Sequence, residues 1–288
     1  MSHPGSPFWV PSAALQRHIN RSASGDPTVD WLSHARTRHL PSELPRVLVV
    51  GCGEGFIERP LARMSGVGPI TAIDADPAAV ERARRNARRR GLAAVAHAVL
   101  DPNAVPLPEG PWDAVIVHDT LHHVGRLEGF YGHIHDILAP RGRVVFVEYV
   151  GPNRFQYPAE RGEIVQRYFR LLPQRLRRDP DTGEALWRPE PVDAARLTLD
   201  SPLEAARSED LLPLARRCFV AEAEYSGGGG LLHPLLSGLA RNFGSRGEEE
   251  HVLDVLCAAE TRLESEGLLP NNFAVFVGRR RATRPAVT

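Results

Sequence analysis

The sequence predicts an α/β fold built around a mostly parallel sheet, and three observations carry that reading. From Arg46 to Val150, apolar runs suited to strands alternate with helical patterns, the alternation that builds parallel sheets through helical crossovers. The first run, Val47-Leu48-Val49-Val50, ends in Gly51-Cys52-Gly53-Glu54-Gly55, where glycines let a ligand approach the backbone. The second run, Ile70-Thr71-Ala72-Ile73, ends in Asp74. A carboxylate about 20 residues past the first glycine is placed to grip two ribose hydroxyls.

In chain order, residues 1–45 read as two short helices around a Ser24-Gly25-Asp26-Pro27 turn, a helical cap. Strands are expected at 46–50, 70–73, 94–99, 113–117 and 143–149, with helices at 56–64, 77–90 and 127–138 between them. Pro77 suits a first helical turn and Gly91 the position just past a helix end, so the 77–90 helix is bounded on both sides. Pro140-Arg141-Gly142 is expected to turn the chain into the fifth strand. Residues 152–217 are rich in Pro and Arg and hold one helical stretch, 160–172. This segment exceeds an ordinary crossover and is read as an inserted helical lid. Strand patterns return at 218–225 and 272–277, with helical patterns over 231–243 and 248–266 and with Gly227 to Gly230 as a hinge or a flexible connector. The plan is a cap at 1–45, a core at 46–151 and 218–280, a lid at 152–217 and a tail at 281–288.

The 288 residues are 42% hydrophobic, ample for a packed core. Lys+Arg and Asp+Glu both total 35, so no global field draws the chain to nucleic acid or acidic membranes, and a small, roughly neutral partner suits it better. Arg82, Arg84, Arg85, Arg88, Arg89 and Arg90 read as the solvated face of one helix. Cys52, Cys218 and Cys257 are widely spaced and suggest neither a disulfide framework nor a zinc knuckle. The start lacks a charged and apolar leader, and no run approaches the roughly 18–20 apolar residues of a membrane span. A cytoplasmic protein without a membrane span is expected, with monomer and homodimer both open.

Ligands of an open parallel sheet bind beyond the carboxyl ends of its strands, and here those positions are unusually polar. They are Gly51 to Gly55, then Asp74-Ala75-Asp76, Asp101-Pro102-Asn103, His118-Asp119-Thr120-Leu121-His122-His123 and Glu148-Tyr149. Phe56 stands where a dinucleotide fingerprint would place its third glycine, which breaks the pyrophosphate pattern and leaves NAD the runner-up cofactor.

With Asp74, Asp101 before Leu107-Pro108, Trp112-Asp113 opening the fourth strand, and Leu121-His122-His123, this loop resembles that of the class I S-adenosylmethionine-dependent methyltransferases over roughly residues 46–150 and, more weakly, the last two strands. The resemblance implies a Rossmann-like methyltransferase fold with a mostly parallel seven-stranded sheet, here with an N-terminal helical cap and an inserted helical lid. It also implies S-adenosylmethionine as cofactor. Asp74 would bind the ribose hydroxyls and Asp101 the adenine amino group, while Gly51, Cys52, Gly53, Gly55, Ala75, Pro102, Asn103 and His118 would line the remainder, Gly51, Gly53 and His118 through their backbones. Two departures stand out. Many members carry an acidic residue two before the first glycine, where this chain has Val49. Pro102 has no N–H, so the adenine ring would take its backbone hydrogen bond from Asn103.

His18-Ile19-Asn20, Asp30-Trp31-Leu32 and Glu148 to Gln156 also look like a bacterial small-molecule methyltransferase subgroup. No substrate follows from that likeness; the balanced charge and the polar strand ends set the expectation of an enzyme that methylates a small-molecule acceptor in a biosynthetic pathway, most readily at a hydroxyl. His122 and His123 are the candidate bases, because an imidazole titrates near neutrality, and Glu148 is placed to orient one of them or to meet the substrate. Trp9, His18, Tyr149, Asn153, Arg154 and Phe155 are the candidate substrate contacts. No metal is expected: Asp119 with His118 and His122 lacks a dense carboxylate set or a zinc spacing. The alternatives are methylation at carbon or nitrogen, methylation of a peptide, and a cofactor-binding regulator or cyclase that transfers no methyl group.

Overall fold

The computed structural model describes residues 12–189, 191–243 and 247–283. Its strands are β1 (Val47–Val50), β2 (Ile70–Asp74), β3 (Val95–Val99), β4 (Trp112–His118), β5 (Leu138–Tyr149), β6 (Phe219–Gly228) and β7 (Phe273–Arg280). They form one seven-stranded sheet in the order β3-β2-β1-β4-β5-β7-β6. The pairs β1–β2, β1–β4, β2–β3 and β4–β5 are parallel. The helices are α1 (Ala13–Ser24), α2 (Trp31–Arg38), α3 (Glu58–Leu61), α4 (Pro77–Arg89), α5 (Leu127–Ile137), α6 (Ala159–Leu171), α7 (Ala194–Asp200), α8 (Leu211–Cys218), α9 (Leu232–Leu236) and α10 (Glu248–Ser265).

Two compact units divide the chain. One holds Trp31–Val150, Pro202–Tyr225 and the described residues from Ala274 onward. Its β1 is apolar at every position because both faces of a central parallel strand are covered. Leu48 and Val50 pack with Val115, Val117 and residues of α5 and α8 in one core layer. Val47 and Val49, pointing the opposite way, pack with Ala114, Ile116, Leu61 and Ala83 in the other. α4 starts where its sequence dictates: the Asp76 side chain accepts from Ala78 N at 2.8 Å and Pro77 occupies the first turn.

The other unit holds residues 12–30, Gly151–Ser201 and Ser226–Phe273. Its core joins Leu15 of α1, Val165 and Phe169 of α6, Leu232, Leu235 and Leu236 of α9, and Leu253 and Leu256 of α10. Ser12 caps α1 by accepting from Ala14 N and Leu15 N.

Several boundaries differ from those expected. The segment 152–217 is divided at Ser201, and residues 1–45 at Asp30, so neither groups as one block. The helix expected over 56–64 is only Glu58–Leu61, since Gly55 holds a φ of 91° before it and Gly66 a φ of 74° after it. β5 begins at Leu138: Pro140-Arg141-Gly142 bulge within it, between the register pairs Trp112↔Leu138 and Ala114↔Arg143. The pattern over 231–243 breaks after Leu236, where Gly238 takes a φ of 76°. Gly227 to Gly230 are buried, and a Cβ on Gly229 would stand 2.6 Å from the Phe273 ring. A packed turn, not a flexible connector, occupies that position.

Candidate active site

The site lies at the carboxyl edge of the sheet, where strand order converts separate sequence motifs into a row. Gly51 and Gly53 hold φ values of 78° and 51°. A Cβ on Gly51 would meet Thr120 Oγ1 at 1.6 Å and the His118 carbonyl oxygen at 2.9 Å, so packing against the loop after β4 itself demands glycine there. Above Gly53 the nearest such neighbour is the Phe56 ring at 3.9 Å, a cradle open to a ligand. Asp74 holds this loop from the next strand: Gly53 N donates to its Oδ2 at 2.8 Å and Asp76 N to its Oδ1 at 2.9 Å. Each oxygen retains a lone pair for a hydroxyl donor. Asp101 is exposed beyond β3. This set of acceptors around an open glycine loop fits the ribose and base of a nucleoside.

Asn103 behaves differently from the expectation. Its N–H donates to Asp101 Oδ1 at 2.8 Å and is thereby committed. Its side chain donates to the His123 carbonyl at 3.0 Å and accepts from Gly125 N at 3.0 Å, tying the loop after β3 to the loop after β4. Cys52 contributes backbone only, for its side chain is buried in the core layer beneath the loop, and burial pushes its thiol pKa up.

The acid–base candidates come together around β4 and β5. Glu148 is fully buried and accepts from Thr120 N at 2.5 Å, Leu121 N at 2.6 Å and His122 Nδ1 at 2.7 Å. On the far side of that ring, His122 Nε2 stands 3.8 Å from Glu204 Oε1, and His123 Nδ1 lies 3.5 Å from Glu204 Oε2. Burial alone would lower the His122 pKa, but the charge and hydrogen bond of Glu148, with Asp119 and Glu204 beyond, outweigh it and hold the imidazolium up to about 9. The His122 side chain is 10% exposed and that of His123 28%. His122, His123 and Glu204 place donor atoms within 4.8 Å of one another, near enough to hold a metal ion. Contacts between imidazolium and carboxylate account for the same spacing.

Glu204 is the participant that sequence reasoning missed. It sits in a Pro- and Arg-rich segment with no local pattern, and only the tertiary fold brings it to the histidines. Trp31, part of the family-like stretch Asp30-Trp31-Leu32 but assigned no role from sequence, stacks on His118 at 5.7 Å with ring planes 16° apart.

The expected substrate contacts separate. Trp9 lies outside the described residues. Tyr149 is buried at the end of β5. His18 is buried in the other unit and bonds through Nε2 to Glu260 Oε1 at 2.8 Å. Asn153, Arg154 and Phe155, also of that unit, form a short turn in which Arg154 and Phe155 hold φ values of 57° and 58°. Arg154 donates to the Ser201 carbonyl at 3.2 Å.

Known proteins are similar to this chain in sequence and in fold. A family model described as a methyltransferase domain matches residues 47–142. The demethylmenaquinone methyltransferase of Thermus thermophilus is 29% identical over 156 residues, 54% of this chain and 69% of that protein. The aklanonic acid methyltransferase DauC of a Streptomyces species is 30% identical over 185 residues, 63% of this chain and 77% of that protein. A Haemonchus contortus phosphoethanolamine N-methyltransferase, solved with phosphomonomethylethanolamine and S-adenosylhomocysteine, is similar in fold: TM-score 0.51 at 15% identity, over 85% of this chain and 51% of that one. Among the described residues, no helix is long and apolar enough to cross a membrane. The glycine cradle, the acidic residues ranged along the sheet edge and these relatives agree on S-adenosylmethionine as the cofactor, and the chain belongs to the class I S-adenosylmethionine-dependent methyltransferases.

Proposed function

We propose that the protein methylates a small organic acceptor at a hydroxyl group, with His123 as the base. The observation that carries this reading is the chain Glu148–His122 with Glu204 and His123 beyond it, assembled at the ends of β4 and β5. The cofactor supplies an electrophilic methyl group on a positively charged sulfur. The chain's residues have to align the acceptor oxygen about 3–3.5 Å from that carbon and remove its proton. His122, clamped and held cationic by Glu148, is a positioning residue. His123, the more accessible ring, takes the hydroxyl proton, and Glu204 steadies the resulting charge.

In this reading Asp74 holds the ribose and Asp101 the adenine amino group. Gly51, Cys52, Gly53, Gly55, Ala75 and His118 meet the cofactor through the backbone, and Pro102 with Asn103 flanks the adenine. Both relatives are named for small organic acceptors, demethylmenaquinone and aklanonic acid, which supports a small-molecule substrate over a peptide. A biosynthetic role in the cytoplasm, where the cofactor is made, suits such a reaction.

The test is to supply methyl-labelled cofactor with a panel of phenols, alcohols, carboxylic acids, amines and carbon acids, then locate the label by NMR. Label on oxygen is expected. Label confined to nitrogen or carbon would contradict methylation at a hydroxyl, and cofactor binding without S-adenosylhomocysteine formation across the panel would indicate a binder that transfers no methyl group.

A further inference from the structure

The sheet edge carries a third carboxylate that the cofactor reading leaves unused. β4 lies beside β1 in parallel register, with Val50 opposite Val117. Just beyond them, Gly51 of the glycine loop packs against His118 and Thr120, the two residues that flank Asp119. On the other side of β1, Val50 is opposite Ile73 of β2, so Asp74 flanks the same loop from the opposite edge. Along the order β3-β2-β1-β4, the strand ends therefore present Asp101, Asp74, the glycine loop and Asp119 in that sequence. Adenine, ribose and amino-acid tail follow one another in the same order along the cofactor.

Asp119 is shaped for this place. It is a non-glycine residue with a φ of 44°, a left-handed conformation that Asp tolerates better than most residues but still at a cost. Its N–H donates to the Val147 carbonyl at 3.1 Å, anchoring it to β5. Its neighbours on either side, His118 and Thr120, are the residues that touch Gly51. The carboxylate is 32% exposed, with Oδ2 3.7 Å from His118 Nδ1. Meanwhile the position two before Gly51 is Val49, fully buried and paired with Ala72 and Ile116 inside the sheet. Val49 therefore offers the cofactor no carboxylate.

We propose that Asp119 receives the α-ammonium group of the cofactor's methionine portion, replacing from β4 the acidic residue that β1 lacks. A charge-assisted hydrogen bond of this kind contributes about 1.5–3 kcal/mol, or about 10–100-fold in affinity.

Calorimetry on the full chain with S-adenosylhomocysteine and with its analogue lacking the α-amino group tests this. Wild type is expected to bind the analogue at least tenfold more weakly. Asp119→Asn is expected to lose at least tenfold for S-adenosylhomocysteine while leaving the analogue unchanged, so the two ligands converge. Asp119→Gly, which relieves the left-handed conformation as it removes the carboxylate, should behave alike and guards against misfolding of the first variant. A preference for the amino ligand that survives in either variant would overturn the proposal in favour of loop carbonyls. Equal weakening of both ligands would overturn it in favour of a structural role.

Discussion

Glu148 carries its charge entirely out of water, and its surroundings show how that is sustained. Two backbone N–H groups and the His122 imidazolium converge on it within 2.7 Å, and His122 is held up to about 9 in return. A pKa raised in the folded state contributes stability that is fully present below the unfolded value of about 6.5 and is lost as pH rises through the folded one. Glu148→Gln keeps an acceptor for the amides but removes the charge. It is expected to destabilise the protein by about 3 kcal/mol at pH 6, with the deficit largely gone above pH 9. Denaturant unfolding at both pH values reads this, and a deficit independent of pH would mean that His122 is not held cationic. The order of residues showed that His122, His123 and Glu148 follow strand ends. It could not show Glu204, whose approach depends on how Pro202–Tyr225 packs against Trp31–Val150 within one unit.

At the scale of elements, the turn before α9 shows how glycines can be misread from sequence. Gly227 to Gly230 have the composition of a linker, yet the fold packs Gly227 and Gly229 against Phe273, Gly228 against Glu260 and Gly230 against Pro270. Glu260, fully buried, accepts from Gly229 N, Leu231 N and Leu232 N as well as from His18. Burial opposes its ionisation, but His18 and these amides prevail and keep its pKa below the ordinary carboxylate value. His18 and Glu260 are 242 residues apart in sequence, beyond the reach of any local pattern. By contrast α4 was legible at both ends, because Pro77 at its start and Gly91, with a φ of 66°, just past its end act locally. Gly229→Ala would combine a φ of 84° with a 2.6 Å approach to Phe273 and should cost about 2–4 kcal/mol. Gly238→Ala, with a φ of 76° but no neighbour within 4 Å, should cost about 1–2 kcal/mol. Thermal unfolding of the two variants distinguishes a packed turn from a loose connector, for which both losses would be small and equal.

For the whole molecule, the position of β1 between β2 and β4 does the organising. It brings Asp74 and Asp119 to opposite sides of one glycine loop and leaves His122, His123 and Glu148 at neighbouring strand ends. Each motif was legible from its own residues because strand, glycine and carboxylate are local signals. Their side-by-side order depends on pairing between strands distant in sequence. The grouping of residues 1–45 and 152–217 has the same character: composition marks a change of pattern, whereas the compact units divide at Asp30 and Ser201 through contacts between distant segments. The central claim, a hydroxyl acceptor deprotonated at this cluster, is tested most directly by turnover of His123→Ala on the acceptor found by the labelling panel, with S-adenosylhomocysteine affinity measured alongside. Loss of a general base predicts kcat lower by about 10²–10⁴-fold, with cofactor affinity within about threefold of wild type. A kcat that stays within about threefold of wild type would contradict the account.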